Sequence, residues 1–160
     1  MIQSARVLTV SDGVAAGERE DLSGPALCER LKAAGFDVAA PAVVSDGIEE
    51  VAAALRELVR DFAGVVITTG GTGFGPRDLT PEGTRLVIER EAPGFMEAIR
   101  RASDEGGRGF GVLSRGVAGA TGAALIVNTP GSLKGSIEAL ETILPAIPHA
   151  LELLSGGSPH

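Results

Sequence analysis

The stretch VVITTGGTGFGPRDLTPE, residues 65–82, decides the fold. It opens on a short apolar run, Val65-Val66-Ile67, preceded by Gly64 and followed by two threonines. Gly70, Gly71, Gly73 and Gly75 then fall within six residues, followed by an acid at Asp78 and a Thr-Pro-Glu helix start. A buried strand that ends in a glycine-rich turn and runs on toward a helix is a recurrent phosphate-binding arrangement. Glycine accepts φ > 0 and lets backbone N–H groups approach an anion, and a helix N-terminus adds favourable partial charge. A carboxylate does not bind phosphate directly, so an acid beside such a cradle points to a divalent cation between the two.

Outward from this stretch, the 160 residues are enough for one domain, assigned to residues 1–154 with a disordered tail at 155–160. An apolar fraction of 44% supports an ordinary core. Tyr and Trp are absent and the net charge is −7, which argues against a base-stacking platform and a basic duplex-binding face. A small anionic substrate stays open, because backbone dipoles and a few local cations suffice to hold one. Cys28 is the only cysteine, which excludes a disulfide framework and a thiolate metal cluster. No apolar run approaches 18 residues and no leader pattern is read at the N-terminus, so a cytoplasmic, membrane-free protein is expected.

Taken in order, Arg6–Val10 reads as a first buried strand ending at Ser11-Asp12-Gly13, three residues that also read as a plain turn. Residues 14–22 carry charges without a period and read as a loop. Ser23 is expected to cap a helix that Gly35 ends. Phe36–Val44 reads as a second strand, and Pro41 favours an edge position. Asp46, in a second Ser-Asp-Gly, reads either as a cap or as an acid at the sheet edge. The clearest helix carries Ile48, Val51, Ala52, Leu55, Leu58, Val59 and Phe62 at helical spacing. Thr80 is expected as the N-cap of a helix running to about Arg90, and Pro93 starts another. Phe110–Ser114 reads as a short strand, Gly116–Gly122 as a turn, and Ala123–Val127 as a strand ending in NTPGSLKG (128–135). Two helices close the chain. Strands alternating with helices imply an α/β fold with a mostly parallel sheet covered on both faces.

No G-x-x-x-x-G-K-[ST] and no G-x-S-x-G occurs, Gly107-x-Gly109-x-Gly111 precedes a strand rather than a helix, and the histidines, His149 and His160, lie near the C-terminus without metal-ligand spacing. What remains is a set of strand ends: Ser11-Asp12, Ser45-Asp46, Gly70 to Asp78, Ser114-Arg115 and Asn128 to Lys134. In a parallel sheet these meet at one edge. Their amides, hydroxyls, carboxylates and cations suit polyphosphate and Mg²⁺ better than acyl transfer or redox chemistry.

TTGGTGFGPRDLTPE (68–82), LSRGVAG (113–119) and NTPGSLKG (128–135), with Ser11-Asp12, DLSGPAL and Asp46, together resemble the MogA/MoaB family of molybdenum-cofactor biosynthesis. The resemblance covers essentially the whole chain. It implies a three-layer αβα sandwich and a homotrimer or dimer of trimers. The implied activity is molybdopterin adenylyltransferase, with AMP passing from ATP to the terminal phosphate of molybdopterin, pyrophosphate released and Mg²⁺ required. By position, Asp46 and Asp78 match the family's functional acids and are the implied Mg²⁺ ligands. Gly70, Gly71, Thr72 and Gly73 match its nucleotide or pterin phosphate loop, and Ser114 goes with them as a phosphate contact. Ser11, Asp12, Pro130, Gly131, Ser132 and Lys134 match the pterin side. Whether the glycines touch ATP or pterin stays open at this level. The alternative is a MoaB-like molybdopterin- or nucleotide-binding protein without adenylyl transfer.

Overall fold

The computed structural model describes residues 1–107 and 109–158. Four central strands, β1 (Ser4–Val10), β4 (Gly64–Thr69), β7 (Ala124–Thr129) and β6 (Ala118–Thr121), lie side by side in the order β1-β4-β7-β6. The first three are parallel; β6 runs antiparallel to β7. β4 and β7 are buried at every position, which is why their apolar residues run without alternation. The edge beside β1 is made of two pieces, β2 (Asp37–Val38) and β3 (Ala42–Val44), with Pro41 in the break.

Helices cover both faces. On one, α2 (Ser23–Ala33), α5 (Pro93–Glu105), α6 (Leu133–Ile143) and α7 (Ile147–Leu154) bury Leu27, Leu31, Met96, Leu140 and Ile147 against Val7, Val65, Ile67 and Val127. On the other, α3 (Ile48–Val59) packs Val51 and Leu55 against Leu8, Val10, Val66 and Ile126, with α4 (Thr80–Arg85) alongside it. This is the expected three-layer αβα sandwich with a mostly parallel sheet. Among the described residues, no helix is long and apolar enough to cross a membrane.

Several local expectations give way. The Ser11-Asp12-Gly13 turn runs on into a single-turn helix, α1 (Asp12–Ala15), capped by Ser11 Oγ, which accepts from Val14 N (3.2 Å). Ser23 does not cap α2: its hydroxyl donates to Gly131 O (2.8 Å), while the Asp21 carboxylate accepts from Gly24 N (2.9 Å). Thr80 lies inside α4, which stops at Arg85, well short of Arg90. The chain leaves the helix to pair with β6, as Glu89 N donates to Ala120 O and β5 (Arg90–Glu91) continues the pairing. Phe110–Leu113 forms a 3₁₀ turn in place of a strand, and Gly111 N donates to Asp104 Oδ1 (2.8 Å). The stretch 116–122, expected as a turn, contains β6. Its small residues are required by neighbours: a Cβ on Gly119 would lie 2.6 Å from Arg90 O and 2.8 Å from Ile88 Cδ1. Ser155, Gly156 and Gly157 donate to Leu151, Leu153 and Glu152 carbonyls, and residues 159–160 of the expected tail lie outside the described residues.

Candidate active site

The carboxyl ends of β1, β4 and β7 open onto a cavity of about 470 Å³. Ser11, Asp46, Gly70, Gly71, Asp78, Gly131 and Ser132 line it, so residues from separate chain segments meet there. Asp12, Thr72, Gly73 and Pro130 adjoin these in the chain but do not themselves line the cavity. Ser114 and Lys134 do not line the cavity. Ser114 has a buried Oγ without a hydrogen-bond partner among the described residues, and its carbonyl accepts from Arg100 Nε (2.9 Å). Lys134 is 86% exposed, with Nζ 3.8 Å from Glu138 Oε1.

The glycine loop is held by its carbonyls. Gly70 N donates to Thr129 O (3.2 Å), Thr80 Oγ1 to Gly70 O (2.9 Å), Thr80 N to Gly71 O (3.0 Å), and Arg115 N to Thr72 O (3.0 Å). Arg115 also donates through Nε to Gly73 O (2.7 Å), through Nη2 to Asp78 O, and through Nη1 to Glu82 (2.7 Å). With the carbonyls so engaged, the amides of Gly71, Thr72 and Gly73 have no acceptor among the described residues. Gly70 and Gly71 have φ of 101° and 66°, and a Cβ at Gly70 would strike Val10 O. A second row of open amides, from Gly131 to Lys134, stands at the N-terminus of α6, where Ser132 Oγ accepts from Gly135 N (3.0 Å). Uncommitted amides at a helix start favour anions.

Behind the loop lies a buried polar network. Asn128 Nδ2 donates to Thr68 Oγ1 (2.9 Å) and Thr84 Oγ1 (3.0 Å), and its Oδ1 accepts from Val117 N (3.0 Å). Thr69 Oγ1 donates to Pro130 O and Thr129 Oγ1 to Thr68 O, both at 2.8 Å. Here the β-propensity of threonine and the need to fasten a loop coincide.

The acids are arranged unequally. Asp12 and Asp46 exchange backbone bonds: Asp12 N donates to Asp46 Oδ2 (2.9 Å) and Asp46 N to Asp12 Oδ1 (3.1 Å). Asp46 therefore braces a strand-end loop and does not cap α3. Arg77 grips Asp12 through Nε (2.7 Å) and Nη2 (3.1 Å) and reaches Asp46 O (2.6 Å). The hydrogen bonds from Arg77 hold the Asp12 carboxyl below its ordinary value. Burial pushes Asp46 up, and the charges of Asp12 and Asp78 add to the rise. Asp78 Oδ2 accepts from Gly75 N (2.9 Å).

Asp46 Oδ1 and Asp78 Oδ1 accept no hydrogen bond among the described residues. Asp46 Oδ1 would lie 3.1 Å from a Cβ on Gly71, and Asp78 Oδ2 would lie 3.0 Å from one on Gly73. Both carboxylates thus lie against the loop, each with an uncommitted oxygen. No three His, Cys, Asp or Glu side chains among the described residues group as a metal site. Two carboxylates beside a phosphate cradle nevertheless suit Mg²⁺, which commonly takes one or two protein oxygens and completes its shell from phosphate and water.

Residues that sequence reasoning did not single out also line the cavity, among them Thr9, Arg19, Asp21 and Thr69. Asp21 accepts from Thr9 Oγ1 (2.8 Å) as well as from Gly24 N, so part of the 14–22 segment is fixed rather than loose. An acid three residues before a helical amide was the available signal.

The model of the family described as "Probable molybdopterin binding domain" matches residues 6–149. The chain is 37% identical to a molybdenum cofactor biosynthesis bifunctional protein of Chlorobaculum tepidum, over 94% of this chain and 48% of that one. It is likewise 37% identical to a molybdopterin adenylyltransferase of Helicobacter pylori, over 94% of this chain and 86% of that one. The chain spans about half the length of the bifunctional relatives it matches. The crystal structure of the molybdopterin biosynthesis enzyme MoaB from Thermus thermophilus superposes with a TM-score of 0.89 at 42% identity, covering 100% of both chains. With the family model matching nearly the whole chain and the fold shared with these relatives, the chain belongs to this molybdopterin-binding-domain family.

Proposed function

We propose that this protein is a molybdopterin adenylyltransferase: AMP passes from ATP to the terminal phosphate of molybdopterin, and pyrophosphate leaves. The observation that carries the reading is one cavity that Gly71, first of the open amides at 71–73, and Gly131–Leu133, from a second open row, line together with two carboxylates, Asp46 and Asp78, each with a free oxygen. Two anionic reactants need two anion-holding surfaces. The name of the Helicobacter relative supports the same reaction.

A phosphate monoester is already an ionised nucleophile, so attack at the α-phosphorus needs no strong general base. This suits a cavity that, among the described residues, is lined by neither His nor Cys. The new bond joins the pterin phosphate oxygen to the α-phosphorus, and the bond to the oxygen bridging α- and β-phosphorus breaks. The barrier lies in charge repulsion and alignment. The amides of residues 71–73 and the α6 N-terminus hold phosphate oxygens, and Arg115 and Thr80 keep the loop in shape for them. Asp46 and Asp78 would hold Mg²⁺, which when bound offsets the negative charge of the phosphates. Assembly as a cytoplasmic trimer or dimer of trimers belongs to the same proposal, and light scattering on the purified chain tests the assembly.

The deciding experiment incubates the protein with ATP, Mg²⁺ and molybdopterin and looks for adenylylated pterin and pyrophosphate. Binding without product would establish the second reading, a MoaB-like binder without adenylyl transfer. Asp78→Asn is expected to slow transfer by roughly 10²–10³-fold, the scale of losing one preorganised charge contact; an unchanged rate removes Asp78 from the mechanism.

A further inference from the structure

The cavity is lined by four carboxylates, Glu20, Asp21, Asp46 and Asp78, and among the described residues by a single basic side chain, Arg19. An anionic substrate entering there meets a negative wall, so the disposition of every nearby cation matters. Arg77 is spent on Asp12 and the Asp46 carbonyl, Arg115 on Gly73 O, Asp78 O and Glu82, and Lys134 stands outside beside Glu138. Arg19 alone is uncommitted: its guanidinium makes no hydrogen bond or ion pair among the described residues.

Its backbone, by contrast, is fixed. Glu18 N and Arg19 N both donate to Gly13 O, at 2.9 and 3.1 Å, and Asp21 fastens the segment to β1 and α2 through Thr9 and Gly24. The Arg19 stem lies over Gly13, where an added Cβ would come 2.8 Å from Cδ and 3.3 Å from Cγ. A long side chain with an anchored base and a free planar head, at the mouth of a cavity built for phosphate, is a ready phosphate ligand.

We propose that Arg19 is a substrate-binding residue of this site, its guanidinium taking a phosphate group of the incoming substrate. The inference rests on the adenylyltransferase reading for the identity of that phosphate, which belongs either to ATP or to molybdopterin.

The test measures KM and kcat for both substrates, and equilibrium Kd for ATP–Mg²⁺ and for molybdopterin separately, in the wild type, Arg19→Gln and Arg19→Lys. Loss of one charge-assisted contact is expected to raise KM and Kd for one substrate about 10- to 100-fold, with kcat within about threefold and Lys recovering part of the loss. The substrate affected identifies the phosphate. Gly13→Ala, which adds no left-handed strain, displaces the stem without removing the charge. It should weaken the same substrate by roughly 3- to 10-fold and add nothing to Arg19→Gln in the double variant, as coupled sites do. Wild-type binding without adenylyl transfer would remove the proposed reaction and leave Arg19 to be judged on the two Kd values. Unchanged Kd for both substrates in Arg19→Gln overturns the inference.

Discussion

Asn128→Leu removes the hub of the network behind the glycine loop while keeping the number and branching of side-chain heavy atoms. Asn128 is fully buried, and the change deletes three hydrogen bonds: to Thr68, to Thr84 and from Val117 N. Thr84 keeps its bond to Thr80 O (2.8 Å), so its hydroxyl still donates. The Val117 amide, itself buried, loses the side-chain acceptor that stood opposite it. Stranding one buried donor costs about 1–3 kcal/mol, and the two lost side-chain bonds about 1 kcal/mol each. Some of this is offset by apolar burial of leucine. The expected loss is about 2–4 kcal/mol of a total that is about 5–15 kcal/mol for domains of this kind. Urea unfolding at fixed m-value reads it directly, and the melting temperature should fall by roughly 5–12 °C. Thr84→Val, which withdraws one partner from Asn128, should show a smaller loss in the same direction. Asn128→Leu within about 0.5 kcal/mol of wild type would refute the claim that this network holds the sheet ends together.

Gly71→Ala should cost about 1–3 kcal/mol and at least roughly 100-fold in transfer rate, because φ of 66° strains any side chain there and a Cβ would strike Thr80 Oγ1; kinetics beside a melting curve check both. Glu141→Gln addresses the Arg30–Glu141 pair between α2 and α6. Hydrogen bonding from Arg30 holds the Glu141 carboxyl below its ordinary value, so its contribution is present above the unfolded-state pKa and lost as pH falls through the folded one. Denaturation should therefore show wild type ahead at pH 7 by less than about 1 kcal/mol, shrinking with salt and vanishing once acid has protonated the folded-state carboxyl.

The parallel core was legible because buried strands are apolar without interruption, as in Val65-Val66-Ile67, and because glycines in φ-positive turns stand out in a sequence. β6 was not. Ala118-Gly119-Ala120 has poor strand propensity, and only the crossing of Arg90 and Ile88 over Gly119 makes small residues necessary there. The early end of α4 has the same origin, since a tertiary partner claims Glu89. At the site, the position of the acids could be read but not their partners. Two aspartates from different loops repel, and that they brace each other depends on reciprocal backbone amides and on Arg77. Arg19 lay in a segment whose charges lack a period, and its place follows only from the fold of that segment onto Gly13.

The order of the central strands bears on how the chain acquires its structure. Ser4 is paired across from Gly64, and Gly64 from Ala124, so each of the two innermost pairings closes about sixty residues of chain. Such non-local parallel pairing is slow, because loop entropy is lost before contacts repay it. A growing chain holds β4, buried at every position in the finished fold, with one edge unpaired until residues beyond 124 emerge from the ribosome. The same strand that delivers the glycine loop to its substrates is thus the segment most exposed to wrong partners during synthesis.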